Sequence, residues 1–179
     1  LVSVIKKLTD EMSVIFAEGF AKIRANFTRT FKELFGGGTA DLILEKSDSD
    51  DPLEQGVEIV AEPPGKKLQK ISLLSGGEMA LTAIAILFAI LKLRPMPFVV
   101  LDEIEAALDE ANVSRFSEYI KKYTGGTQFI LITHRRGTME SANRLYGVTM
   151  PEHGISKILS LNVADIAKKK EGDWDGIFG

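Results

Sequence analysis

From Ile5 to Leu34 an apolar side chain recurs every three or four residues, at Ile5, Leu8, Met12, Phe16, Phe20, Ile23, Phe27, Phe31 and Leu34, with no proline to interrupt them. That spacing marks one face of an α-helix at 3.6 residues per turn, sustained for about nine turns. A helix of that length outruns the usual globular helix and is unusual without a partner. The stripe therefore predicts a helix over residues 1–35 with two readings, a long amphipathic helix lying on a core and the end of a coiled-coil arm entering a globular head. Both can hold at different ends of the same helix. Gly36-Gly37-Gly38 then stops it, as glycines do at a helix C-terminus.

Beyond the glycines, residues 41–45 and 56–61 read as strands, joined by the acidic, turn-rich SDSDDPLEQ as a solvated hairpin loop. Residues 63–67, PPGKK, are another break. A helix near 76–92, a strand near 97–102, a helix near 110–122 and a strand near 127–133 follow. A short helix after Gly137 and two short strands, Tyr146–Met150 and Ile155–Leu161, come last. The strands PFVVL and QFILIT are almost continuously apolar. Such strands are expected to be buried on both faces of a mostly parallel sheet flanked by helices, which makes the fold class α/β. The expected organisation is an arm or neck helix at 1–35, a head at 36–167 and a charged, glycine-rich mobile tail at 168–179.

Composition excludes several classes. With 45% apolar and 26% charged residues the chain is an ordinary globular one. Its net charge of −3 announces no global nucleic-acid field, although a local basic patch remains compatible with it. It has no cysteine, so neither disulfides nor cysteine-based zinc sites are available, which fits a reducing cytoplasm. The longest apolar run, Met79 to Leu91, reads as too short for a membrane span, and no basic–apolar–small cleavage pattern opens the chain. The first residue is Leu1 rather than Met, and the chain reads as a fragment of a longer protein.

The chemistry concentrates at three places. FVVL ends in Asp102 and Glu103, and ligands of open α/β sheets bind where strands end. A carboxylate there can hold the water shell of Mg²⁺, and a second can orient and deprotonate an attacking water. For the dipeptide alone, two solvated charges at a helix start explain it as well. The next apolar strand ends in His134, where a neutral imidazole could bond a phosphate or that water. His153, in the turn PEHG, reads as a surface residue. LLSGGE supplies the third place. Ser75 followed by Glu78 is a capping box, and a capped helix start with Gly76 and Gly77 is also an anion site. Yet G-x-x-x-x-G-K-[ST] occurs nowhere in the 179 residues. The water-activating end of a nucleotide site is therefore present without a phosphate cradle, which must come from elsewhere.

In this order, LLSGGE, FVVLDEIEAALD and LITHRRGTME resemble the C-terminal half of the ATPase head of SMC (structural maintenance of chromosomes) proteins, the bacterial condensin branch above all. FGGGTADLILE, PPGKK and LTAIAILFAILKLRPMPF fit the same pattern, and the resemblance covers roughly residues 1–165. It implies that Ser75, Gly76, Gly77 and Glu78 are the signature motif contacting the γ-phosphate of ATP on an opposite head. Asp102 would be the Walker B aspartate of the Mg²⁺ site and Glu103 the catalytic base. Ala107, Leu108 and Asp109 would form the D-loop, and His134 would be the switch histidine. The implied cofactors are ATP and Mg²⁺. The implied partners are the N-terminal P-loop half of the same head, a second head in an ATP-dependent homodimer, a kleisin subunit through its C-terminal winged-helix domain, and DNA, with no membrane. The implied setting is the cytoplasm and nucleoid, in chromosome condensation and segregation. ABC transporters usually carry Gln at the place of Glu78, and DNA-repair relatives usually depart from EAALDEAN. Met79 stands where many members have a basic residue. A repair ATPase of the same superfamily, and an isolated kleisin-binding module inactive alone, are the competing readings. Lys66, Lys67 and Lys70 with Arg135 and Arg136 are candidate DNA contacts, for which ordinary surface charge is the preferred reading.

Overall fold

The computed structural model describes residues 2–45, 54–123 and 126–166, so the predicted hairpin-loop tip and the tail at 168–179 lie outside the described residues. The chain falls into two compact units, residues 1–132 and 133–179, and each is taken by itself.

The first unit opens with α1 (Val2–Phe35), as the stripe requires. At 34 residues it runs about 51 Å, and only its last third is covered. Phe27, Phe31, Leu34 and Phe35 are buried, with Phe31 and Phe35 stacked at 4.1 Å between ring centroids. Ile5, Leu8, Met12 and Ile15 are more than half exposed. One face thus serves the core at one end and lies open at the other. The antiparallel strands β1 (Thr39–Leu44) and β2 (Val57–Glu62) follow, with the two-residue β3 (Gln69–Lys70) on the far edge of β2. A short 3-10 turn, Ile71–Leu73, leads into α2.

Helix α2 (Gly76–Leu93) is the centre of the core. It starts at the Ser75 capping box and stops where Pro95 forbids Arg94 the helical conformation. At 18 residues it is longer than the apolar run suggested, and by length and composition it could cross a bilayer. Its burial is that of a core helix. Leu81, Ile84, Ala85, Phe88, Ala89 and Leu91 pack inward, and the Lys92 ammonium donates to Thr30 Oγ1 of α1 at 3.1 Å and sits over the Tyr119 ring.

Strands β4 (Phe98–Asp102) and β5 (Gln128–Ile132) pair in parallel, joined through α3 (Glu110–Tyr123). Val99, Leu101, Phe129 and Leu131 face the helices, and Phe129 packs against Phe88 and Tyr123. The expected sheet, buried on both faces and mostly parallel, is not what forms. Among the described residues β4–β5 is the only parallel pair, and the other two sheets are antiparallel. Phe98, Val100, Ile130 and Ile132 point away from the helices and stay about half exposed. The reason is coverage: α2 and α3 reach one face, and no other described element of the first unit packs on the other.

The second unit holds α4 (Arg136–Ser141), the hairpin β6 (Arg144–Glu152) and β7 (Ile155–Asn162), and α5 (Val163–Ile166). The hairpin is longer than the two short strands predicted, and its register slips between Thr149 and Glu152, beside Pro151, which has no N–H to donate. Tyr146, Val148, Met150 and Ile158 are exposed along it.

Candidate functional site

At the start of α2 the capping box is complete. Glu78 N–H donates to Ser75 Oγ at 3.4 Å, and the Glu78 carboxylate accepts from Ser75 N–H at 3.0 Å and from the Ser75 hydroxyl at 2.8 Å. Lys66 Nζ donates to the same carboxylate oxygen, Oε2, at 2.9 Å. Burial alone would raise the Glu78 carboxyl; the Lys66 and Ser75 hydrogen bonds outweigh it and hold it below the ordinary carboxylate range. Ser75 and Gly76 are exposed, and a Cβ at Gly76 would meet nothing within 4 Å, so an anion has room to approach the helix start. At Gly77 a Cβ would lie 3.4 Å from the Ala107 carbonyl. The helix start therefore abuts the turn that follows β4.

That turn begins with the two carboxylates. Asp102 pairs with Ile132 in the parallel register, and its side chain is exposed. Glu103 N–H donates to Ile132 O at 2.9 Å, which carries the pairing one residue past the strand. Glu103 is also the one non-glycine residue with positive φ among the described residues, at 47°. A side chain in that left-handed region costs about 1–2 kcal/mol, and such outliers gather at functional sites. The chain turns back through Ala106 N–H to Glu103 O and Leu108 N–H to Glu105 O. Asp109 then caps α3: its Oδ1 accepts from Asn112 N–H at 2.8 Å, and its carbonyl accepts from Val113 N–H at 2.9 Å.

The first unit thus brings Ser75, Gly76, Gly77 and Glu78 against the turn that carries Asp102, Glu103 and Asp109. His134 belongs to the second unit, where it is exposed, beside Thr133 Oγ1, which accepts from Arg135 N–H at 3.0 Å. Two residues escaped the sequence reading. Glu105, inside EIEAAL, is given no role by the sequence reading and is buried at 2% exposure. Lys66, for which ordinary surface charge is the preferred reading over DNA contact, holds Glu78, a pairing across twelve positions that no local pattern signals. Lys70 and Arg136 are likewise ion-paired, with Glu58 and Glu140.

Among the described residues no group of three His, Cys, Asp or Glu forms a ready-made metal cage. Mg²⁺ is usually held by one or two carboxylates with waters and substrate phosphates. Asp102, exposed at its strand end, offers such a carboxylate.

Comparison with known proteins gives this geometry a family. The family described as "RecF/RecN/SMC N terminal domain" matches residues 11–157. The chromosome partition protein Smc of Bacillus subtilis (strain 168) is 59% identical over 165 residues, covering 92% of this chain and 14% of that protein, so the chain spans a small part of this relative's length. An Smc head domain with an extended coiled coil, bound to the C-terminal domain of ScpA and derived from Pyrococcus furiosus, superposes with a TM-score of 0.78 at 42% identity, covering 93% of this chain and 41% of that one. A structure described under ATP-driven dimerization and DNA-stimulated activation of SMC ATPases superposes with a TM-score of 0.76 at 40% identity, covering 89% of this chain and 99% of that one. The chain belongs to the RecF/RecN/SMC family, as a portion of an SMC ATPase head.

Proposed function

We propose that this chain is the C-terminal half of an SMC head, in which it supplies the signature motif, Walker B pair, D-loop and switch histidine for ATP-dependent engagement and hydrolysis. The family description speaks of an N-terminal domain; the C-terminal assignment rests on motif order and on the missing phosphate cradle. The observation that carries it is the open apolar face of β4–β5, where Phe98, Val100, Ile130 and Ile132 await cover beside a site that lacks its P-loop. A contiguous apolar face of this kind marks an interface. The occupant that supplies both cover and cradle is the P-loop half.

In this reading Asp102 holds the water shell of Mg²⁺. Glu103 orients the attacking water and takes its proton, its side chain aimed by the left-handed backbone. Mg²⁺, when bound together with ATP, would supply positive charge to offset the charge developing on the phosphoryl group. Ser75, Gly76 and Gly77 present the α2 start to the γ-phosphate of ATP seated on the opposite head, and Glu78 fixes the Ser75 rotamer. Asp109 shapes the D-loop by capping α3, and His134 takes the role of the switch histidine by resemblance. Helix α1 continues into the arm, which the uncovered stripe from Ile5 to Ile15 supports. A kleisin winged-helix domain and DNA are partners by likeness, as are the cytoplasm and the nucleoid as location. The relatives named for chromosome partition favour that process over repair.

The test is ATP hydrolysis by this chain alone and after joining to the P-loop half through a short linker. Hydrolysis only by the joined protein, with Ser75→Arg blocking engagement while ATP binding persists, is the expected result. Hydrolysis by the chain alone would overturn the split-site reading. Loss of ATP binding in Ser75→Arg would mean that the motif serves its own head. A charge at Ile130 (Ile130→Asp) should leave this chain folded yet abolish hydrolysis by the joined protein.

A further inference from the structure

Lys66 is presented by a turn with little freedom. Lys66 N–H donates to Pro63 O at 3.0 Å, Pro64 occupies the second position, and Gly65 has φ 79°. That is a type II β-turn, whose third position requires the positive φ that glycine takes at no steric cost. The turn is also backed by the glycine segment that follows α1. A Cβ on Gly38 would meet Glu62 O at 2.2 Å and Pro64 Cδ at 3.3 Å, so only glycine lets the segment after α1 lie this close. From that platform Lys66 Nζ reaches the Glu78 oxygen that also takes the Ser75 N–H and the Ser75 hydroxyl proton.

The arrangement poses a chemical problem for a phosphate-contacting serine. A hydroxyl has one proton, and here it is given to Glu78. An incoming phosphate needs that proton as its donor and meets the Glu78 carboxylate both as a rival acceptor and as a like charge. A cation on the contested oxygen reduces both obstacles: it occupies a lone pair and offsets the charge.

We infer that Lys66 is a positioning residue for the signature serine, neutralising Glu78 so that the Ser75 hydroxyl is released to the γ-phosphate of the opposing head. The inference rests on the assignment of residues 75–78 as the signature motif. It gives the PPGK turn a role distinct from DNA contact, and it joins the end of α1 to the phosphate-sensing helix through one side chain.

The test uses the complete SMC protein that contains this chain, with ATP-dependent head crosslinking, nucleotide binding and hydrolysis measured side by side. Lys66→Ala should weaken engagement by about two- to fivefold, the range open to a partly exposed ion pair, with nucleotide binding to the isolated head unchanged. Lys66→Arg should restore it. Adding Glu78→Gln to Lys66→Ala should recover most of the loss, because the uncompensated charge is then gone; a purely structural bridge would give no such rescue. Engagement within twofold of wild type for Lys66→Ala, or a double variant no better than the single one, overturns the inference. Ser75→Arg separates the two readings. If it blocks engagement while Lys66→Ala does not, only the role of Lys66 fails. If neither variant affects engagement, the signature assignment fails with it.

Discussion

The start of α2 and the tip of β4 both set carboxylates at exposed edges of one unit, and they are held in opposite ways. At α2 every local demand is met twice over. Glu78 has three donors, Ser75 gives and takes, and the helix runs on into the densest part of the core. At β4 the chain is bent against its preference: Glu103, a residue with a side chain, takes a left-handed backbone. What offsets that cost is the hydrogen bond to Ile132 and the parallel register with β5. One edge is stable by itself and suited to be a fixed contact. The other is strained, aimed, and suited to chemistry.

The largest test of that contrast is at the strained edge. Glu103→Gln in the joined head should lower turnover by about 100- to 10,000-fold, the range for loss of a general base, with ATP binding and engagement retained. Turnover within a few-fold of wild type would strip Glu103 of the role and leave its φ unexplained. Next comes the satisfied edge. Ser75→Ala should lower the stability of the chain by about 1 kcal/mol through loss of the cap, read from denaturant melts with an unchanged slope. A smaller effect follows from the backbone alone. Glu103→Gly removes the left-handed penalty but adds glycine's unfolded-state entropy, so it should stabilise by only about 0.5–1 kcal/mol while abolishing hydrolysis. Stabilisation with loss of activity is the signature of strain kept for function; destabilisation would show that the Glu103 side chain supports the fold instead.

The same contrast explains what could be read ahead of the structure. The capping box, the stop at Gly36 and the α1 stripe are local patterns, and the elements begin and end within about two residues of expectation. His134, just past β5, and the acid pair at the tip of β4 are visible because apolar runs stop there. Non-local facts are not. The apolar composition of PFVVL and QFILIT is satisfied equally by a sheet covered on both faces and by one with an open face, so burial is overestimated at Val100 and Ile130. Two-residue β3 has no period to detect. Glu105 reads as one more acid in an acidic stretch, and only the turn after β4 turns it inward. The bond from Lys66 to Glu78 depends on a turn, a strand and a helix all being in place.

The smallest effect is also the one that isolates the satisfied edge from everything else. The carboxyl of Glu78 lies below its ordinary range because Lys66 and Ser75 donate to its ionised form more strongly than burial opposes it. A depressed folded-state value means that the contribution is fully present above the ordinary carboxylate range, about 4.3 for Glu, and is lost as pH falls through the folded value. Asp41, bridged by Arg24, is depressed as well, so wild type should lose stability on acidification from more than one source. The difference between wild type and Glu78→Gln removes the shared part. That difference should be constant from pH 7 to about pH 5, then shrink toward zero as Glu78 protonates and becomes, like the amide, a neutral partner for Lys66. Thermal melts of the two proteins across that range measure it. A difference that persists at pH 3 would mean that the capping geometry, rather than the charge held by Lys66, is what Glu78 contributes, and the two edges would then differ in strain alone.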